Sequence, residues 1–348
     1  MSERKVNLKF RWEIITALFL LVILPNVVVA DIIPEKAPGD ESETRRFVMD
    51  NGLKVLLVSD PKFNVSAASM SVAIGSLSDS ESAMGSTHFL EHMLFLGTEK
   101  YPAVDDYSKY LNSNGGWSNA YTARDHTNYY FEVKHDALGG ALERFSQFFI
   151  APLFDTKYTE RERNAVDSEH GKNLLNDGWR VRQLRRSYYN SPFNKFSTGS
   201  HETLEHVSVG QLKEFYSKHY GATQMALVIL GKESLDALEN YTKEYFGPIE
   251  NRGLEDIQFD QTYLQRKEAL RMLKVLPVKD VKYIEFEFPL QPLIGHYKSK
   301  IGSLIGTALG DEGEGSLLAH LKEEGLATGL SAGSSDRTKN NSSFGITV

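Results

Sequence analysis

The stretch Met84-Gly85-Ser86-Thr87-His88-Phe89-Leu90-Glu91-His92-Met93-Leu94-Phe95-Leu96-Gly97-Thr98 decides how the rest of the chain is read. It has the pattern of a helix, and on a helix positions i, i+3 and i+4 share a face. His88, Glu91 and His92 therefore project together. Two imidazoles one turn apart can hold one metal ion, and a carboxylate beside them can move a proton. With 10 His and 46 Asp+Glu in 348 residues, this spacing arises by composition about 0.04 times. Phe89, Leu90, Met93, Leu94, Phe95 and Leu96 crowd the same segment. The helix is thus expected to be mostly buried, where an unpartnered His-His-Glu group would be costly to desolvate.

A catalytic zinc ion usually takes three protein ligands and leaves a fourth position for water. The third ligand cannot be cysteine, because the chain has none. Lys157 to Arg186 reads as a second long helix carrying Glu160, Glu162, Asp167, Glu169 and His170. Glu162, Val166, Glu169 and Asn173 share one face, and Asp167 and His170 point elsewhere. Spacing alone leaves Glu162 and Glu169 as equal candidates. Manganese and cobalt also accept His and carboxylate donors.

Outside these two segments the pattern is mixed. Arg46 to Ser59 reads strand, turn, strand, with Asn51-Gly52 as the turn. Met70, Val72 and Ile74 alternate as in a half-buried strand. Trp117–Thr122 and Thr127–Val133 read as paired strands, and Met225–Leu230 as a buried one. Tyr107–Asn112, Ala137–Phe149 and Gly210–His219 read as helices. The expected class is α+β, a mixed and largely antiparallel sheet with helices packed on one face. Near Tyr263 a second unit of similar kind begins. In it Ile284, Phe286 and Phe288 alternate with Glu285 and Glu287, and helices follow around Ser299–Ala308 and Ser316–Glu324. Gly310, Gly313 and Gly315 form a turn between those helices. Phe344–Val348 reads as the middle of a strand, so this unit is expected to be truncated.

Residues 1–30 combine Arg4, Lys5, Lys9 and Arg11 with the apolar run Ile14–Leu24 and a small-residue site at Val28-Val29-Ala30. This is a secretory signal pattern, too short for an ordinary membrane span. It implies export, to the periplasm or as a secreted protein, with no stable membrane span after cleavage. Residues 31–45 read as a flexible lead-in. The whole chain carries −7, and the four basic and two acidic residues of segment 1–30 leave −9 for the remainder. That argues against a nucleic-acid partner, which calls for basic surface.

Several motifs together resemble one family. Ser86–Thr98, Ser118-Asn119-Ala120-Tyr121-Thr122, His126–Phe131, Asn164–His170 and Asn176-Asp177-Gly178-Trp179-Arg180 look like the pitrilysin and insulin-degrading-enzyme family of H-x-x-E-H (inverted zincin) metallopeptidases. The likeness runs from about Phe47 to the C-terminus. It implies a zinc endopeptidase acting on peptides through a metal-activated water, with one zinc ion per chain. His88, His92 and Glu169 match the metal ligands and Glu91 the general base. Glu162 matches an acidic residue that supports the site without binding the metal. Asn119 and Ala120 match an edge strand along which substrate lies. Trp117 departs from the small residue often found there, and Arg182 from an apolar one. Residues 46–262 would be the peptidase domain and 263–348 the beginning of a second domain of related fold. Family members are longer and close two similar halves over a chamber, so a C-terminal half or a second subunit is an expected partner. A fragment that binds peptide without cleaving it is the alternative.

Overall fold

The computed structural model describes residues 36–348 except Asp256, Asp260, Gln261 and 265–269. The signal-like segment 1–30 lies outside the described residues. Residues 1–40 form a separate unit, described only over 36–40, where a turn places the Asp40 N–H on the Ala37 carbonyl at 3.0 Å.

In residues 41–348 the alternation of the sequence becomes a six-stranded sheet. Its strands are β1 (Glu43–Val48), β2 (Lys54–Ser59), β3 (Val65–Val72), β4 (Trp117–Thr122), β5 (Thr127–Lys134) and β6 (Met225–Gly231). Their order is β1-β2-β6-β3-β5-β4, and only β2–β6 is parallel. The register aligns like with like: Val55 opposes Leu227, Met70 opposes both Leu227 and Tyr129, and all four are buried. A slip of one residue would turn this apolar set to solvent.

Helices accompany the sheet, most of them packed on its buried face. These are α1 (Ser86–Leu94), α2 (Asp106–Ser113), α3 (Leu138–Ser146), α4 (Thr156–Asn173), α5 (Asp177–Arg186), α6 (Val209–His219) and α7 (Leu235–Phe246). Phe89, Leu90, Met93 and Leu94 of α1 join Leu138, Leu142 and Phe145 of α3 and Leu238 and Phe246 of α7 in one core with the strands. Fully burying Phe89 contributes about 2–3 kcal/mol and holds the metal-site helix against the sheet.

A three-stranded antiparallel sheet follows, β7 (Glu285–Leu290), β8 (Ser331–Thr338) and β9 (Asn341–Thr347), in the order β7-β9-β8. Helices α8 (Ile301–Leu309) and α9 (Leu317–Glu323) lie between β7 and β8 in sequence. Gly306 lets α8 lie close on β8, because a Cβ there would sit 2.7 Å from the Ala332 carbonyl oxygen. Helix α5 ties this region to the first. The Asp177 carboxylate accepts the Val278 and Lys279 N–H groups at 2.7 and 2.9 Å, and Arg185 pairs with Glu285 and Glu287.

Three expectations are corrected. The helix expected over 157–186 is two, because the Asn176 side chain accepts the Trp179 N–H at 3.0 Å and caps a new start. The last residues of the expected lead-in already belong to β1, where Glu43 opposes Ser59. The strand containing Met70 ends at Val72, before Ile74. Helix α7 and strand β8 had no reading in the sequence. The first has its cap at Ser234, and the second is the small polar run Ser331-Ala332-Gly333-Ser334-Ser335, whose alternation is too weak to mark a strand.

Candidate metal centre

Helix α1 is placed before it presents anything. At its start Asp79 is buried, and its carboxylate accepts four donors: the Gly85 N–H (2.8 Å), the Ser86 hydroxyl (3.0 Å), and the Thr87 N–H (2.9 Å) and hydroxyl (2.5 Å). These satisfy N–H groups that a helix start leaves free, and a negative charge there is favourable. Burial raises the Asp79 pKa, against the lowering effect of these hydrogen bonds. Gly85 has φ +90°, and a Cβ on it would fall 2.3 Å from the Gly199 Cα. Only glycine allows this approach. It brings the Thr198 carbonyl to His88, where the Nδ1–O distance is 2.6 Å.

With Nδ1 held by a carbonyl, the His88 tautomer leaves Nε2 as a free ligand atom. His92 is arranged likewise, its Nδ1 3.5 Å from Glu162 Oε2. Both Nε2 atoms face one oxygen of Glu169 on α4: His88 at 3.7 Å and His92 at 3.8 Å. The rings stand edge to face with centroids 4.8 Å apart. The donor atoms of His88, His92 and Glu169 all lie within 4.8 Å of one another. Ligand atoms on a tetrahedral zinc are about 3.3 Å apart; both imidazole–carboxylate distances are within about half an ångström of that, and the group as a whole fits zinc once its members close up further. They leave a fourth position open.

Glu91 stands beside this group, 6% exposed, accepting the Thr122 hydroxyl on Oε2 at 2.5 Å. Burial raises its pKa. His88, the Thr122 hydrogen bond and His92 pull it down, and Glu169 adds to the rise. For His92, burial opposes the charged ring, but the Glu162 hydrogen bond with Glu91 and Glu169 nearby raises its pKa overall. Glu162 is lowered, chiefly by its hydrogen bond to His92, with Arg161 also contributing against burial. It is bound to Arg161 at 2.9 Å and turned to the far side of the His92 ring.

The expected site residues thus come together, and tertiary packing separates the two carboxylates that spacing left equal. Asp167 is elsewhere, accepting the His201 N–H at 2.8 Å. Asn119 and Ala120 lie on β4, an edge of the six-stranded sheet. The Ala120 N–H is engaged by Asn119 Oδ1 at 2.9 Å, a bond that an added peptide strand would displace. Sequence reasoning missed Asp79, Thr122 and Thr198. Asp79 precedes the helix by a turn and carries no local cap signature. The other two act from distant segments.

A family description, "Insulinase (Peptidase family M16)", matches residues 54–191, and "Peptidase M16 inactive domain" matches 206–348. The human insulin-degrading enzyme is 44% identical over 322 residues, 90% of this chain and 32% of that protein. An Arabidopsis thaliana protein, "Insulin-degrading enzyme-like 1, peroxisomal", is 43% identical over 333 residues, 93% of this chain and 34% of the relative. The crystal structure of pitrilysin superposes with a TM-score of 0.84 at 34% identity, covering 91% of this chain and 35% of that one. The chain belongs to the pitrilysin and insulin-degrading-enzyme family. It spans about a third of the length of the curated relatives it matches.

These relatives overturn the expected destination. They are human and plant proteins, one named peroxisomal, and they give no support to a periplasmic or secreted location. The leader-like composition of residues 1–30 misled because apolar run and basic flank carry no address beyond their pattern. Among the described residues no helix is long and apolar enough to cross a membrane.

Proposed function

We propose that this chain carries the catalytic centre of a zinc endopeptidase acting on peptides. The observation that carries the reading is the convergence of His88 and His92 Nε2 on one Glu169 oxygen, with Glu91 buried alongside. His88, His92 and Glu169 would hold the ion, and Glu162 would orient His92 from behind. Bound zinc would supply Lewis acidity toward the scissile carbonyl and toward a water.

The remaining work falls to this chain's own groups. Glu91 Oε1 is the oxygen not engaged by Thr122, and it takes the water proton and returns it to the leaving amine. The Thr122 hydroxyl fixes the carboxylate plane for both transfers. Burial raises the Glu91 pKa, which makes it a stronger base than an exposed carboxylate. A peptide along the free edge of β4, at Asn119 and Ala120, would gain main-chain hydrogen bonds, which favours unstructured substrates over folded ones. The human relative's name states that it degrades insulin; for this chain we extend only the class, peptides.

We assign 46–262 as the peptidase domain and 263–348 as part of a second. We further propose that full turnover draws on a complementary half, downstream or on a partner chain, because the relatives are about three times as long. Zinc binding and hydrolysis of a quenched fluorescent peptide by wild type and Glu91→Gln test both points. One zinc in each, with turnover lowered about 10²–10⁴-fold in the variant, is expected. Unchanged cleavage by Glu91→Gln would sink the role of Glu91. One zinc and no cleavage in either protein would assign the chemistry to an assembly with the missing half.

A further inference from the structure

Beside the metal centre lies a cavity of about 350 Å³ whose wall includes Thr122, the residue bonded to Glu91. The wall is cationic: Arg124, Arg182, Arg186, Arg337 and Lys339 line it. Three segments converge to build it. The β4–β5 turn supplies Arg124, α5 supplies Arg182 and Arg186, and the end of β8 with the turn after it supplies Arg337 and Lys339.

Like charges are gathered here with incomplete compensation. Arg337 is answered by Glu287, at 2.5 Å. Arg186 is buried and bonds the Lys195 carbonyl at 3.1 Å and the Ser197 hydroxyl at 2.7 Å, but its Nε has no partner. Among the described residues the guanidinium groups of Arg124 and Arg182 make no hydrogen bond and no ion pair. Two carboxylates also line the cavity, and both are occupied. Asp125 accepts from His126 and from the Lys339 N–H, and Asp336 accepts the Ser342 hydroxyl at 2.6 Å. Burial lowers the Arg124 pKa, with Arg337 and Arg182 adding repulsion. Burial also takes Arg186 down to about 10, with Arg182 and Arg124 contributing. Guanidinium groups so crowded and so poorly paired are stabilised by an anion, and their planar donor forks match a carboxylate.

The pocket's position says which anion. It opens where β4 ends at Thr122, so a peptide added along that strand runs into it past the metal centre. We propose that this pocket takes a carboxylate of the bound peptide, from an acidic side chain or the free C-terminus, and selects acidic peptides on that side of the cleaved bond. The inference rests on the reading of β4 and the metal centre as a peptidase site.

The test reads binding, not turnover. A neutral unstructured peptide is labelled, Glu is placed at each position in turn with Gln as control, and the C-terminus is made free or amidated. Fluorescence anisotropy is measured with the full chain, zinc-loaded, as Glu91→Gln. One Glu position, or the free C-terminus, is expected to bind about tenfold tighter than its neutral counterpart. Which of the two does so identifies the source of the carboxylate. Arg182→Gln, at an exposed position that folding tolerates, and Arg124→Gln should each remove most of that preference, while Arg182→Lys restores part of it and zinc stoichiometry stays at one. A preference that survives both glutamine variants, or no preference at all, overturns the proposal. So does Arg182-dependent binding of inorganic phosphate that acidic peptides do not compete for, which would make this a free-anion site. Loss of zinc binding, by contrast, would strike the peptidase reading and leave the charge preference measurable.

Discussion

In β3, β5 and β6 alternate residues are buried, and the helices above them complete one core. In β7 the same alternation leaves Phe286 and Phe288 about half exposed, at 49% and 48%, and on α8 Leu304 is 68% exposed. Sequence pattern is equal in the two regions, but covering partners are not. The six-stranded region finds its layer within the described chain. The three-stranded region pairs its strands fully, yet keeps an apolar surface of residues such as Phe286, Ile301, Leu304 and Ile305. Alternation therefore reports a strand with one apolar face, and says nothing of what lies on it. The metal centre sits wholly in the closed region, on α1 and α4.

Substitutions that probe each side of this contrast should differ most in stability. Phe89→Ala, under α1 in the closed core, is expected to cost about 3–5 kcal/mol, read by denaturant unfolding. A cost under about 1 kcal/mol would mean that α1 is not held by this core. Next comes a change confined to the metal. Glu162→Gln removes the partner of His92 Nδ1, and zinc affinity should fall about 10–100-fold with the unfolding midpoint of the metal-free protein little changed. Competition with a chromophoric chelator measures it, and an unaltered affinity would remove Glu162 from the site.

A smaller effect lies in pH dependence. His219 at the end of α6 packs against Phe215, and burial, helped by Lys218, lowers its pKa to about 4. The unfolded ring titrates near 6.5, so between those values the unfolded state binds more protons. Stability should rise with pH from about 4 to 6.5 and then level off. Because the ring is only half buried, the gain is on the order of 1 kcal/mol. His219→Gln should flatten that part of the profile in urea titrations at stepped pH, and a profile of unchanged slope would assign it to other groups. The smallest change is expected in the open region. Phe286→Ser should alter stability by less than about 1 kcal/mol and leave zinc affinity alone. A loss comparable to that of Phe89→Ala would show that the exposed face is covered after all.

Much of the fold was legible because the signals are local. Strands β2 to β6 follow from alternation and apolar runs, and α1 and α6 from helical spacing. The break at Asn176 was missed because propensity on both sides favours helix and one capping side chain decides it. Strand β8 was missed because Ser and Gly carry little strand preference of their own. The leader-like segment was read for a destination that the relatives contradict.

The sequence by itself determined that His88, Glu91 and His92 share a helix face, since i, i+3 and i+4 meet whatever surrounds the helix. It also narrowed the third ligand to one face of a second helix. Only the tertiary structure decided between Glu162 and Glu169, because the choice rests on where α4 crosses α1. Only it brought the Thr198 carbonyl to His88 and Thr122 to Glu91, contacts 110 and 31 residues apart in the chain. The arginine pocket belongs with these: its members come from three segments, and no local pattern records that packing would leave their charges facing one another.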